Sequence, residues 1–263
     1  MATIYFAWRA PGKAWYPIGK LSIAEEGHYV FEYVAGARKA AEAAGFKPLD
    51  MFPEFTKKYR STELFAVFAN RLPPRERQDY ETFVTWMNVP RSSGKEGELA
   101  LLARSEGLRV TDNFQVFACP EPEDGKYVIK VFIHGIRFTS QQDQDRALTL
   151  KEGESLSLAP EPANPSDPWA VQARTEDGVH KVGYLPRYLN QDIHAIGVRK
   201  FNIKVIRVHK PPVPIQYRVL CELSAPWPPS GFAPCSGAEF EPFGGPGSDA
   251  GVPTVGSGSR AGH

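Results

Sequence analysis

Residues 127–138, YVIKVFIHGIRF, and residues 156–187, LSLAPEPANPSDPWAVQARTEDGVHKVGYLPR, decide the fold of the second half of this chain. In the first stretch, Tyr127, Ile129, Val131 and Ile133 alternate with Val128, Lys130, Phe132 and His134, the period of a strand with apolar side chains on both faces. In the second, Leu156 and Leu158 mark one strand, and Trp169 to Thr175 another. Asp177-Gly178 is a tight-turn dipeptide that leads into a strand from Lys181 to Leu185. Pro186 suits the first residue of a short helix carrying Leu189 and Ile193. Farther along, Phe201 to Val208 and Tyr217 to Leu223 pair as a hairpin across the proline-rich Pro211 to Pro214. Six short strands with one helix predict a small barrel over residues 126–224, since curling into a barrel removes exposed strand edges.

Upstream, Ile4 to Trp8, Trp15 to Leu21 and Tyr29 to Val34 read as strands separated by turn residues. Ala35 to Ala44 is rich in alanine and ends at Gly45, which predicts a helix with its stop signal. A second helical pattern opens at Ser61-Thr62-Glu63, with Leu64, Phe65, Phe68 and Leu72 on one face, and ends at Pro73-Pro74. Arg75 to Met87 and Glu98 to Glu106 predict two more helices. The first half, residues 1–120, is therefore expected to be an α+β domain whose aromatic stripes form a core. Pro120 to Gly125 is polar and turn-rich and reads as a linker. Residues 226–263 are dominated by Pro, Gly, Ser and Ala and are expected to be a largely disordered tail.

Composition is that of a folded globular chain, with 42% hydrophobic and 23% charged residues. The net charge of +1 excludes nothing, but its distribution is uneven. Residues 126–224 hold 14 Lys/Arg against 10 Asp/Glu, while residues 1–125 hold 16 against 17. The positive excess thus sits in the predicted barrel, where it permits phosphate binding. No apolar run reaches 18 residues, and no signal-peptide core precedes Pro11, so a cytoplasmic protein without a membrane span is expected. Cys119, Cys221 and Cys235 are odd in number and far apart, and are expected to be reduced thiols.

Four motifs in the barrel stand in fixed order: His134-Gly-Ile-Arg-Phe138, the segment from Leu158 to Val171 with Asn164-Pro165 and Asp167, the Asp177-Gly178 turn, and Val182-Gly-Tyr-Leu-Pro-Arg187. Together they resemble the HIRAN family, whose pattern is a G-[IVL]-R-[YF] strand end, an N-P-Y-D-x-N-A-[IV] segment and a V-G-[HY]-[LIV] strand after a hairpin. The resemblance implies an OB-like barrel that captures the 3′ end of single-stranded DNA. On that basis Arg137 would pair with backbone phosphate and Phe138 would stack on the terminal base. Asp167 would accept a hydrogen bond from the terminal 3′ hydroxyl, and Tyr184 and Arg187 would touch the end nucleotide and its phosphate. Ser166 stands where the family has tyrosine, and Trp169 where it has asparagine. Trp169 either restores a stacking surface or is buried. Asn164 and Asp167 are also turn-forming residues in their own right.

In the first half, the stretches Ile18-Gly-Lys-Leu21 to Phe31-Glu-Tyr33 and Phe65 to Leu72 resemble the amino-terminal subdomain of HipA-like toxins, without the kinase body those toxins need. No phosphate-binding loop, no pair of histidines with metal-ligand spacing and no nucleophile elbow occurs. Glu152, Glu154 and Asp167 lack the compact spacing of a metal-dependent nuclease. The expectation is a non-enzymatic nucleic-acid binding protein without a cofactor, acting in DNA repair, replication restart or DNA-targeting defence. The alternative is a protein-interaction or regulatory protein, or the targeting subunit of a separate helicase or nuclease.

Overall fold

The computed structural model describes residues 3–12, 14–90, 94–228 and 231–244. The chain divides into two compact units, Met1–Cys119 with Ser236–His263, and Pro120–Cys235. Both mix helices with antiparallel strands.

The first unit is a five-stranded sheet with helices. Its strands are β1 (Thr3–Arg9), β2 (Trp15–Ile23), β3 (Tyr29–Tyr33), β4 (Tyr59–Ser61) and β5 (Phe114–Phe117), in the order β4-β3-β2-β1-β5. The helices are α1 (Ala35–Ala44), the single turn α2 (Ala66–Ala69), α3 (Tyr80–Met87) and α4 (Lys95–Ser105). Alternating burial along β3 sends Tyr29, Phe31 and Tyr33 inward, as a period of two requires. Phe31 stacks on Phe52 with ring centroids 4.0 Å apart, and Phe6 lies 4.9 Å from Phe68 and 4.8 Å from Phe114. The helix expected from Ser61 to Leu72 shrinks to α2. Phe65 and Phe68 are buried as the pattern required, yet Tyr59–Ser61 is drawn into the sheet against β3.

Residues 238–243, expected to belong to a disordered tail, form part of this unit. Glu241 accepts from the Ala35 amide at 2.8 Å, Phe243 donates to the Tyr33 carbonyl at 3.1 Å, and its ring stacks on Phe55 at 4.8 Å. The few aromatic residues in that stretch suffice to dock it. The start of the expected tail belongs to the second unit, where Trp227 packs on the core and its amide donates to the Gly125 carbonyl at 2.9 Å, and residues 245–263 lie outside the described residues.

The second unit is built on a seven-stranded antiparallel sheet, not the six-stranded barrel expected. Its strands are β6 (Pro122–Glu123), β7 (Lys126–Phe132), β8 (Ser155–Pro160), β9 (Val171–Thr175), β10 (Lys181–Tyr184), β11 (Asn202–Val208) and β12 (Val219–Pro226). They lie in the order β10-β9-β8-β11-β12-β7-β6. The seventh strand, β6, is two residues from the stretch read as a linker, paired with the start of β7. The sheet curls into a half-barrel: just beyond β7, His134 and Tyr184 of β10 exchange both main-chain hydrogen bonds, at 2.8 and 2.9 Å. A side chain at Gly183 would bring its Cβ within 2.3 Å of the His134 carbonyl oxygen, so this close approach requires the glycine of Val182-Gly-Tyr184.

Two helices flank the sheet, α5 (Gln141–Leu148) and α6 (Arg187–Ile196). The sequence reading missed α5, which is polar apart from Ala147 and Leu148. It starts where the Ser140 side chain accepts from the Asp143 amide, and Asp143 in turn accepts from the Lys181 amide, tying α5 to β10. Inside the curl pack Tyr127, Val131, Val171, Leu189, Ile193 and Val219. Cys221 is a free thiol buried there, its pKa pushed up by burial. Cys119 and Cys235 are disulfide-bonded, so the expectation of reduced thiols holds for Cys221 alone.

Candidate nucleic-acid interface

Three segments of the second unit carry the six candidate residues: the turn after β7, the 161–170 loop between β8 and β9, and the span from β10 into α6. The turn opens at Gly135, whose φ of 70° is left-handed and whose missing Cβ leaves room for the Tyr184 ring. Ile136 is buried and anchors a short 3-10 turn, Ile136–Phe138. Arg137 and Phe138 are therefore presented outward. Phe138 is 75% exposed, with the Arg137 guanidinium 4.5 Å from its ring centroid. An apolar ring that open to solvent is available for stacking, and the adjacent cation suits an anionic partner.

The 161–170 loop is folded by its own side chains. Asn164 Oδ1 accepts from the amides of Ser166, at 2.9 Å, and Asp167, at 3.2 Å. Its Nδ2 donates to Glu161 at 2.6 Å and to the Tyr184 hydroxyl at 3.3 Å. Glu161 also accepts from Tyr184 at 2.7 Å and from Gln172 at 2.6 Å, with Lys181 3.8 Å away. Partial burial pushes the Glu161 pKa up, but the bonds from Asn164 and Tyr184 and the charge of Lys181 outweigh it, so the carboxyl sits below its ordinary value. Lys181 lies 4.0 Å from the centroid of the Tyr184 ring and bonds its hydroxyl. Tyr184 is thus clamped at both ends, by the main chain of His134 and by Glu161 and Lys181.

Asp167 stands at the junction of the loop and α6, only 8% exposed. Its Oδ1 accepts from the Trp169 amide at 2.9 Å, which is the turn chemistry its type favours. Its Oδ2 accepts from Asn190 Nδ2 at 2.8 Å, with Arg187 Nε at 3.8 Å. A carboxylate offers about four acceptor positions. Two good donors fill half of them and leave capacity for a hydroxyl. Trp169 is 47% exposed, which settles the choice left open by the sequence: its ring is not buried.

The structure links Gly135, Tyr184, Asn164, Asp167 and Arg187 in one chain of contacts. The sequence reading missed Glu161, Asn190 and His194. The signal for two of them was present, since Arg187, Asn190 and His194 fall at i, i+3 and i+7 and share one face of α6. Three basic residues on the strands, Lys130, Lys204 and Arg207, are not part of this site. Lys130 pairs with Glu222 at 3.8 Å, Lys204 lies opposite Glu222 in register, and Arg207 pairs with Glu152 at 3.5 Å. An open depression of about 580 Å³ shares no residue with this site; it is lined by Arg146, Thr149, Lys151, Glu152 and Glu154, whose two cations and two carboxylates balance. Among the described residues no cluster of three or more His, Cys, Asp or Glu is arranged to hold a metal ion, and no helix is long and apolar enough to cross a membrane.

Residues 126–227 match the HIRAN domain. HIRAN domains are in general DNA-binding modules, which supports a nucleic-acid partner for this part of the chain. Among solved structures, the chain is similar to a protein from Lactobacillus plantarum, with 20% identity, 38% of this chain and 97% of that chain covered, and a TM-score of 0.30. It is similar also to the HIRAN domain of human HLTF, with 16% identity, 39% and 80% covered, and a TM-score of 0.30. No curated protein matches the chain.

Proposed function

We propose that the second unit is a non-enzymatic module that holds the 3′ end of single-stranded DNA. The observation that carries this reading is the Asp167 carboxylate, buried yet with acceptor capacity left, 3.8 Å from the Arg187 guanidinium. A terminal hydroxyl donates a hydrogen bond to a carboxylate, whereas an internal or terminal phosphate is repelled by it, so Asp167 selects a free end. Arg187 and Arg137 supply phosphate contacts, which position the strand without reading its sequence. Phe138 gives the terminal base a stacking surface, and Tyr184, held by Glu161 and Lys181, forms the wall between the turn and the loop. A separate helicase or nuclease is the partner that such a module would target.

The competing reading, a protein-interaction or regulatory module, draws on Ser166, an exposed side chain in the place of a family tyrosine. Fluorescence anisotropy with labelled single-stranded DNA separates the two. End capture gives binding that weakens steeply as salt rises and is lost when the 3′ hydroxyl is replaced by a 3′ phosphate. DNA affinity absent at every salt concentration would overturn end capture and leave the interaction module.

A further inference from the structure

We infer that Trp169, braced by His194, is a second base-stacking platform that takes the base next to the captured terminal nucleotide; this rests on the end-capture reading above. Trp169 is 47% exposed on a short loop, which leaves a large ring accessible for stacking. Its surroundings show that the ring is held and not merely left out. The Trp169 amide donates to Asp167 Oδ1 at 2.9 Å, and the Trp169 carbonyl accepts from His194 Nε2 at 3.2 Å. The imidazole meets the indole edge to face, with centroids 5.2 Å apart and planes at 71°. Main chain and ring are thus fixed from both sides, by the acceptor proposed for the terminal hydroxyl and by the last turn of α6. Less ordering entropy is then lost when a base stacks, which is the condition for a preformed site.

Position fixes the ligand. Trp169 is two residues from Asp167, so their Cα atoms are no more than about 7 Å apart. A ring so close to the bound 3′ oxygen meets the last nucleotides of the strand and no others. Phe138 is assigned to the terminal base, which leaves the neighbouring base for the indole. The ligand class is an unpaired nucleobase of any identity, because stacking uses the π-face that all bases share. A ring at Trp169 also compensates for Ser166, whose short side chain offers no stacking surface.

The test uses the full chain and short single-stranded DNA carrying an abasic site at either the last or the second-to-last nucleotide, with affinity read by anisotropy. Trp169→Ala is expected to bind intact DNA about ten-fold more weakly. It is also expected to lose the wild-type penalty for an abasic second-to-last position while keeping the penalty for an abasic last position. Trp169→Phe, which keeps a ring, restores most of the affinity. A Trp169→Ala protein that binds as tightly as wild type, or that keeps both abasic penalties, overturns the platform while end capture stands. A wild type indifferent to its 3′ end overturns both.

Discussion

Two buried charges, one in each unit, show how differently a fold can use an ion. Arg71 of the first unit is closed. Its side chain is 1% exposed and bonds Asp112 twice, at 3.2 and 2.8 Å, Gly107 O at 2.7 Å and Val67 O at 2.9 Å. The rings of Phe6 and Phe114 lie 5.1 and 5.6 Å from the guanidinium carbon. These bonds take four of its five N–H donors, and the residue pins the loop before β5 to the core. Asp167 of the second unit is open. It has two good donors, a cation at 3.8 Å and acceptor capacity left, beside an exposed tryptophan. Arg71 is enclosed by protein partners and serves the architecture, whereas Asp167 keeps acceptor capacity beside an exposed ring.

Breaking the closed charge has the largest expected effect. Arg71→Met leaves Asp112 and two carbonyls without their donor, and removal of one partner of a buried pair costs about 3–5 kcal/mol. Denaturant unfolding should show that loss in the first unit, and a change below about 1 kcal/mol would mean that the guanidinium is not holding the loop. The open charge should respond less to loss of a support. Asn190→Ala removes one donor from Asp167, and the expected result is about five-fold weaker binding to DNA with a free 3′ hydroxyl. Unfolding should show a stability loss of about 1 kcal/mol. Asn190 is almost fully buried and its Oδ1 has no partner, so part of the cost of burying it disappears with it. Unchanged affinity would show that Asp167 does not depend on Asn190 for its orientation.

A third ionisable group, a carboxyl, sharpens the contrast, because it is part-buried with one oxygen that has no hydrogen-bond partner. Asp192 Oδ2 is buried without a hydrogen bond, and burial raises its pKa from 3.8 to about 7. Between those values the folded protein holds a proton that the unfolded chain releases. The associated stability is complete below pH 3.8 and is lost as pH rises through about 7. Asp192→Asn should therefore melt about 5 °C higher than wild type at pH 8, with a gap that closes toward pH 4. A gap of the same size at both pH values would show that the carboxyl is not the titrating group.

The sequence made much of this legible. Alternation from Tyr127 to Ile133 placed β7, the Asp177-Gly178 turn placed the β9–β10 hairpin, and Pro186 placed the start of α6. These are local signals whose tertiary context agrees with them. Where context decides, the reading failed. The helical pattern from Ser61 to Leu72 yields to strand pairing at Tyr59–Ser61, and α5 has almost no apolar stripe to announce it. Two-residue β6 forms only because β7 is there to pair with. In the site, the motif residues were readable because turn chemistry and rings mark them. Glu161 was not, since a carboxylate clamping a tyrosine is visible only once loop and strand have met, and the helical spacing of Asn190 marks its face of α6 but not its bond to Asp167.

Whether Asp167 accepts a hydrogen bond from a terminal 3′ hydroxyl is tested most directly by a thermodynamic cycle: wild type and Asp167→Ala, each titrated with single-stranded DNA ending in a 3′ hydroxyl and with the same strand ending in a 3′-deoxy nucleotide. Removal of the hydroxyl should weaken wild-type binding by roughly ten-fold and leave the variant unaffected. An equal loss in both proteins, or no loss in wild type, would contradict the account.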